Sequence, residues 1–109
     1  MAYDEHLAAR IRAVLADQPT LVEKKMFGGL TFMLHGHMCC GVMREELMAR
    51  VGPEQYADAL GMPYARQLDF TGRPMKGIVI VGPEGFEEDK DLAAWVQRGV
   101  QFVATLPPK

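Results

Sequence analysis

Four side chains follow one another as H-x-H-x-C-C, namely His35, His37, Cys39 and Cys40. They form the single cluster of ligand-type groups in the chain. Zinc would need three or four of them converging at about 2.0–2.3 Å. A turn between His35 and His37 would place them on two strands, and neighbouring strand residues point to opposite faces, so Cys39 and Cys40 diverge. Three ligands on one face remain geometrically open, but no second C-x-x-C supports them, and the expectation is neither metal nor cofactor. Cys39 or Cys40 beside His37 could also make an activated thiol. No third group is placed to orient such a pair, so no catalytic residue is expected and the chain reads as non-enzymatic.

Other chemistry is weaker. Gly28-Gly29 lacks the G-x-x-x-x-G-K-[ST] spacing and does not lead into a helix, so it reads as a bulge or sharp strand turn, not a phosphate loop. Lys24, Arg66, Arg73 and Lys76, with Phe70 nearby, could form a basic patch for single-stranded nucleic acid if the strands bring them together. A solvated rim is the favoured reading of these cations. The pairs Glu45-Glu46 and Glu87-Glu88 fall at a turn and a helix start, where carboxylates are solvated ends.

The elements that position these residues read as follows. Asp4 can cap a helix running through Gln18, with Leu7, Ile11, Val14 and Leu15 on its buried face and Arg10, Arg12 and Asp17 in water. Pro19 ends it. From Glu23 to Val51 the period is two, with Leu30, Phe32 and Leu34 alternating with Thr31, Met33 and His35, and breaks at Gly28-Gly29, Gly36-His37 and Arg44-Glu45-Glu46. Gly52-Pro53 opens a short helix with Tyr56, Ala59 and Leu60 buried, and Gly61 suits a left-handed position after it. Arg66–Phe70 and Lys76–Val81 are further strands, the second apolar enough to be covered on both sides. Acidic residues Glu87 to Asp91 open a last helix, where Leu92, Trp95, Val96, Val100, Val103 and Leu106 make a stripe. Gly99 inside that stripe marks its closest approach to the sheet. Pro107-Pro108 terminates it.

The fold class is therefore α+β and two-layered: an antiparallel sheet of five to six strands, with three helices chiefly on one face. The other face would carry Thr31, Met33, His35, Cys39, Met43 and Met48. With eight methionines in the chain, this set suggests an adaptable partner interface formed by Met33, His35, Cys39, Met43 and Met48, with a homodimer or another protein as the occupant.

Residues 1–109 are expected to make one domain. The net charge of −2 supplies no overall field for a polyanion. The first residues lack the apolar run of a signal peptide, no stretch approaches a membrane span, and both cysteines read as reduced thiols, so a cytoplasmic location is expected.

The sequence resembles the N-terminal domain of the TfoX/Sxy family, bacterial regulators of competence for DNA uptake. The resemblance rests on the helix-first opening, on Glu23-Lys24-Lys25-Met26-Phe27-Gly28-Gly29, on Met38-Cys39-Cys40-Gly41-Val42 and on Phe70-Thr71-Gly72-Arg73-Pro74-Met75-Lys76-Gly77. It covers nearly the whole chain. It implies a secretion-chaperone-like α+β fold, no catalytic residues, and a part in transcription regulation. Full-length regulators in the family carry a C-terminal helical domain and act with a cyclic-AMP-dependent activator; this chain ends at Lys109 and is expected to stand alone without that domain. The expected function is a non-enzymatic module working through protein contacts. Direct nucleic-acid binding comes second, and a Cys-based redox or enzymatic protein third.

Overall fold

A computed structural model describes residues 3–26, 28–69 and 74–107, with only the backbone described at residues 26, 69 and 74–76. The first helix, α1, spans Glu5–Val14 and begins where Asp4 accepts hydrogen bonds from the backbone N–H groups of His6 and Leu7. These are two of the donors that a helix start leaves without partners. The meander then supplies β1 (Val22–Met26), β2 (Gly29–Leu34), β3 (His37–Met43) and β4 (Glu46–Arg50). Helix α2 (Tyr56–Leu60), strands β5 (Ala65–Asp69) and β6 (Pro74–Val81), a 3₁₀ turn (Pro83–Phe86) and helix α3 (Asp89–Ala104) complete the order.

All strand pairings are antiparallel, and the six strands among the described residues lie in the order β1-β2-β3-β4-β6-β5. The β2–β3 turn is made by His35 and Gly36, both with positive φ (54° and 82°). Two positive φ values match the twist of the flanking strands. At the β3–β4 turn Arg44 takes the same region, with φ 56°. Gly28, with φ 74°, sits just before β2, so the Gly28-Gly29 pair is a strand turn as expected.

One core cluster joins Leu7, Ile11 and Leu15 of α1, Ala59 of α2 and Leu92, Trp95, Val96 and Val103 of α3 to Phe32, Val42, Leu47, Val79 and Val81 of the sheet. All three helices thus cover one sheet face, which is the two-layer α+β arrangement that the alternation implies. Ile78 to Val81 are buried on both faces, as their continuous apolar run requires.

Three local expectations need correction. Helix α1 ends at Val14 with Leu15 as its cap, not at Gln18 before Pro19. Gly61 closes α2 with φ −77°, a right-handed conformation, because its N–H already reaches carbonyls of the preceding turn. Arg10 does not face open water. Its guanidinium donates to the Phe86 and Glu87 carbonyls at 2.8 and 3.2 Å and pairs with Asp89, which ties α1 to the start of α3.

Candidate functional site

The geometry of the central strands turns on one extra residue. Phe32 faces Cys40 across β2 and β3, but the next pair is Met33 with Met38, so Cys39 has no partner of its own. This is a β-bulge, with two residues on one strand opposite one on the other. Beyond it the alternation of faces is reset. Both cysteines therefore belong to the core under the helices, and Met38 joins the opposite face. The expected divergence of Cys39 and Cys40 fails for this reason, as does the placement of Cys39 at the partner interface.

Helix α3 meets the bulge at Gly99. A Cβ built there would lie 2.4 Å from the Cys39 carbonyl oxygen and 3.0 Å from its Sγ. Cys39 Sγ approaches the Val96 carbonyl at 4.0 Å. Gly99 is the point of closest approach that its position in the apolar stripe suggests. The Cys40 thiol is pushed well up from its ordinary value, first by its hydrogen bond with Cys39 and then by burial. That is the opposite of what activates a nucleophilic thiol.

The histidines go elsewhere. His35 lies in the turn, its backbone N–H donating to Thr20 Oγ1 at 3.1 Å and its Nδ1 3.3 Å from the same oxygen. It is not a member of the far-face cluster. His37 Nε2 donates to the Pro107 carbonyl at 2.7 Å, fastening the end of the chain after α3 to the start of β3. The H-x-H-x-C-C residues are thus divided between two loop contacts and the core. No group of three His, Cys, Asp or Glu able to hold a metal occurs among the described residues.

Of the expected basic patch, Lys24 and Arg66 lie far apart. Lys24, Thr31, Gly41, Met48, Ile80 and Arg66 form one row across the whole sheet. Five inter-strand steps separate Lys24 from Arg66, roughly 24 Å. Arg66 donates to both carboxylate oxygens of Glu46, at 2.6 Å to Oε1. Arg73 lies outside the described residues, and the side chain of Lys76 does too.

What the strands do bring together is the face away from the helices. Met38, Met48, Leu68, Ile78 and Ile80 form a second apolar cluster, with Met33 and Met43 packed at its margin. Gly41 leaves a hollow in this surface that the Met48 side chain fills, its Cε 2.7 Å from where a Cβ would sit. Met48 is consequently buried, while Met33 and Met43 stay half-exposed and Val22, paired with Met33, is 52% exposed. Thr31 is buried in the same row, and its hydroxyl has no partner among the described residues. The contributions of Leu68, Ile78 and Ile80 were not legible without the strand order.

Two carboxylates respond to pH. Arg66, as hydrogen-bond donor, holds Glu46 below its ordinary value, and Arg12 does the same for Glu23. Burial opposes both shifts more weakly. A lowered folded value means that the stabilisation is present above the ordinary value of 4.5 and is lost as pH falls through the folded values. Both pairs are partly exposed, so together they contribute about 1 kcal/mol. The double variant Glu23→Gln/Glu46→Gln should show an acid-induced loss of urea stability smaller by about that amount. An unchanged acid limb would show that the pairs contribute nothing.

A six-stranded antiparallel sheet backed by helices on one face, with a methionine-rich patch on the other, defines a two-layer α+β domain. The family model described as TfoX N-terminal domain matches residues 13–103, and the chain belongs to that family. No curated protein and no solved structure matched the chain. No helix of the described residues is long and apolar enough to cross a membrane.

Proposed function

We propose that this chain is a non-enzymatic interaction module of the competence-regulator kind, acting through protein contacts on the sheet face opposite the helices. Its first partner is a second copy of itself. The observation that carries this reading is the half-exposed margin of Met33, Met43 and Val22 around an already packed apolar centre. Flexible thioether side chains at such a margin can repack against more than one surface, and apolar rims of this kind mark contact sites. Membership of the TfoX N-terminal domain family supports a regulatory setting. With Lys24 and Arg66 at opposite sheet edges, no described feature favours the nucleic-acid reading.

Light scattering across a dilution series tests the proposal. The expected result is a dimer that dissociates on dilution and is insensitive to reductant, since both thiols are buried. The variant Met33→Glu/Met43→Glu should weaken association by at least about tenfold, because each charge would be desolvated at the contact. Its far-ultraviolet dichroism should match the parent, as both positions are only half-buried. A monomer at every concentration, or a dimer unaffected by the two glutamates, would overturn the assignment of self-association to this face.

A further inference from the structure

On the helix side, the connection from α2 to β5 meets the 3₁₀ turn and α3 around a cleft of about 230 Å³. Its walls include Met62, Pro63, Tyr64 and Trp95, and its rim carries the carboxylates of Glu84 and Asp91. We propose that this cleft receives a lysine- or arginine-bearing segment of a partner protein. The surface is separate from the sheet face discussed above and goes beyond that reading.

Three observations converge on it. Of the three large hydrophobic residues exposed among the described residues, two are here, Met62 at 42% and Tyr64 at 58%. Tyr64 also adopts φ 68°, a left-handed conformation that costs a bulky residue free energy and that surrounding structure must impose. The Gly82 N–H, which donates to the Tyr64 carbonyl at 3.0 Å, helps to impose it. Gly85 completes the fit, since a Cβ there would lie 2.5 Å from Val81 Cγ1 and 3.3 Å from Tyr64 Cβ. An aromatic ring is thus held outward beside a cleft.

Charge complementarity identifies the occupant. Neither Glu84 nor Asp91 forms an ion pair with a described residue. Arg98 lines the same cleft, but it is turned toward α2, donating to Gln55 at 3.1 Å and to Asp58 at 3.3 Å, with its guanidinium over the Trp95 ring. Its charge is therefore shared with Asp58, and the rim keeps an excess of negative charge. A basic side chain can lay its methylenes on Met62, set its cationic head against the Tyr64 ring and reach the two carboxylates. An anionic segment would meet repulsion from both. The volume falls below the range of about 300–1,000 Å³ common for small-molecule pockets and suits one or two side chains of a longer segment.

The test is a nitrogen-15 NMR titration of the whole chain with an acetylated, amidated hexapeptide made of two Gly-Leu-Arg units. A peptide with glutamate in place of arginine is the control. The arginine peptide should shift the Trp95 indole and Gly85 amide signals at about millimolar concentration, leaving the amides of Met33 and Met43 in place. Glu84→Gln/Asp91→Asn and, separately, Tyr64→Ala should each weaken binding by about fivefold. Because Tyr64 is exposed, Tyr64→Ala should keep the parent's melting midpoint. Glu84→Gln/Asp91→Asn removes a carboxylate from the first turn of α3 and should lower that midpoint by a few degrees at most, leaving the chain folded at the titration temperature. No shift at Trp95 and Gly85, equal shifts with the glutamate peptide, or unaltered binding by both variants would overturn the proposal. Failure of the sheet-face dimer would leave these signals unaffected, so the two readings fail separately.

Discussion

Replacing Gly99 with alanine should destabilise the protein by about 2 kcal/mol, although the same exchange inside an ordinary helix gains about 1 kcal/mol. The sign is set by the bulge beneath it. The new Cβ would stand 2.4 Å from the Cys39 carbonyl oxygen and 3.2 Å from its carbon. Both are main-chain atoms of β3 rather than the free end of a side chain, so they can give way only if the bulge itself shifts between the pairs that flank it, Phe32 with Cys40 and Met33 with Met38. The helix must lift from β3, and contacts of Trp95, Val96 and Val103 with the core loosen together. Gly99→Val adds two methyl groups at the same point and should cost about 3 kcal/mol or more. Urea denaturation at neutral pH measures both. A background of Cys39→Ala separates the causes, since it removes the sulfur at 3.0 Å but leaves the carbonyl. Gly99→Ala should remain destabilising there. An alanine variant as stable as the parent would mean that α3 and the bulge are farther apart than described.

The same pair of residues shows where sequence reasoning reaches and where it stops. Gly99 stands in an apolar helical stripe, where a missing side chain has a local cost, so a compensating close contact could be inferred. The bulge at Cys39 leaves no such mark. Cysteine is small and apolar enough for either face, and inserting one residue changes the pairing without changing the hydrophobic pattern around it. Every face assignment N-terminal to the bulge in β3 therefore shifts by one, which exchanges Cys39 for Met38 on the far face. Strand order was hidden for a different reason. Period-two alternation gives each strand its faces but not its neighbours, and the insertion of β6 between β4 and β5 is fixed by long-range pairing. That order separates Lys24 from Arg66, two members of the expected basic patch. The Asp4 cap, the β6 run and the turn at Gly28 are set by residues within a few positions, and these were legible.

Phe32→Ala should produce the largest loss, about 4 kcal/mol. Phe32 is fully buried near the middle of β2, on the face the helices cover, and heads the fully buried side chains by size. Its removal takes away apolar transfer free energy and leaves a cavity between sheet and helices that regular neighbours can only partly fill. Against a total stability of about 5–15 kcal/mol for such a chain, the melting midpoint should fall by about 20 °C. The neighbouring Met33→Ala is the informative companion. Met33 points to the opposite face and is half-exposed, so its truncation should cost under about 1 kcal/mol. Calorimetry on the two variants thus asks which sheet face is the core. Equal losses would mean that both faces are fully committed to packing and that Met33 has no surface to offer a partner. A large loss at Phe32 beside a small one at Met33 would leave the thioether margin free to bind, since a side chain already needed to hold the fold together cannot also repack against a second molecule.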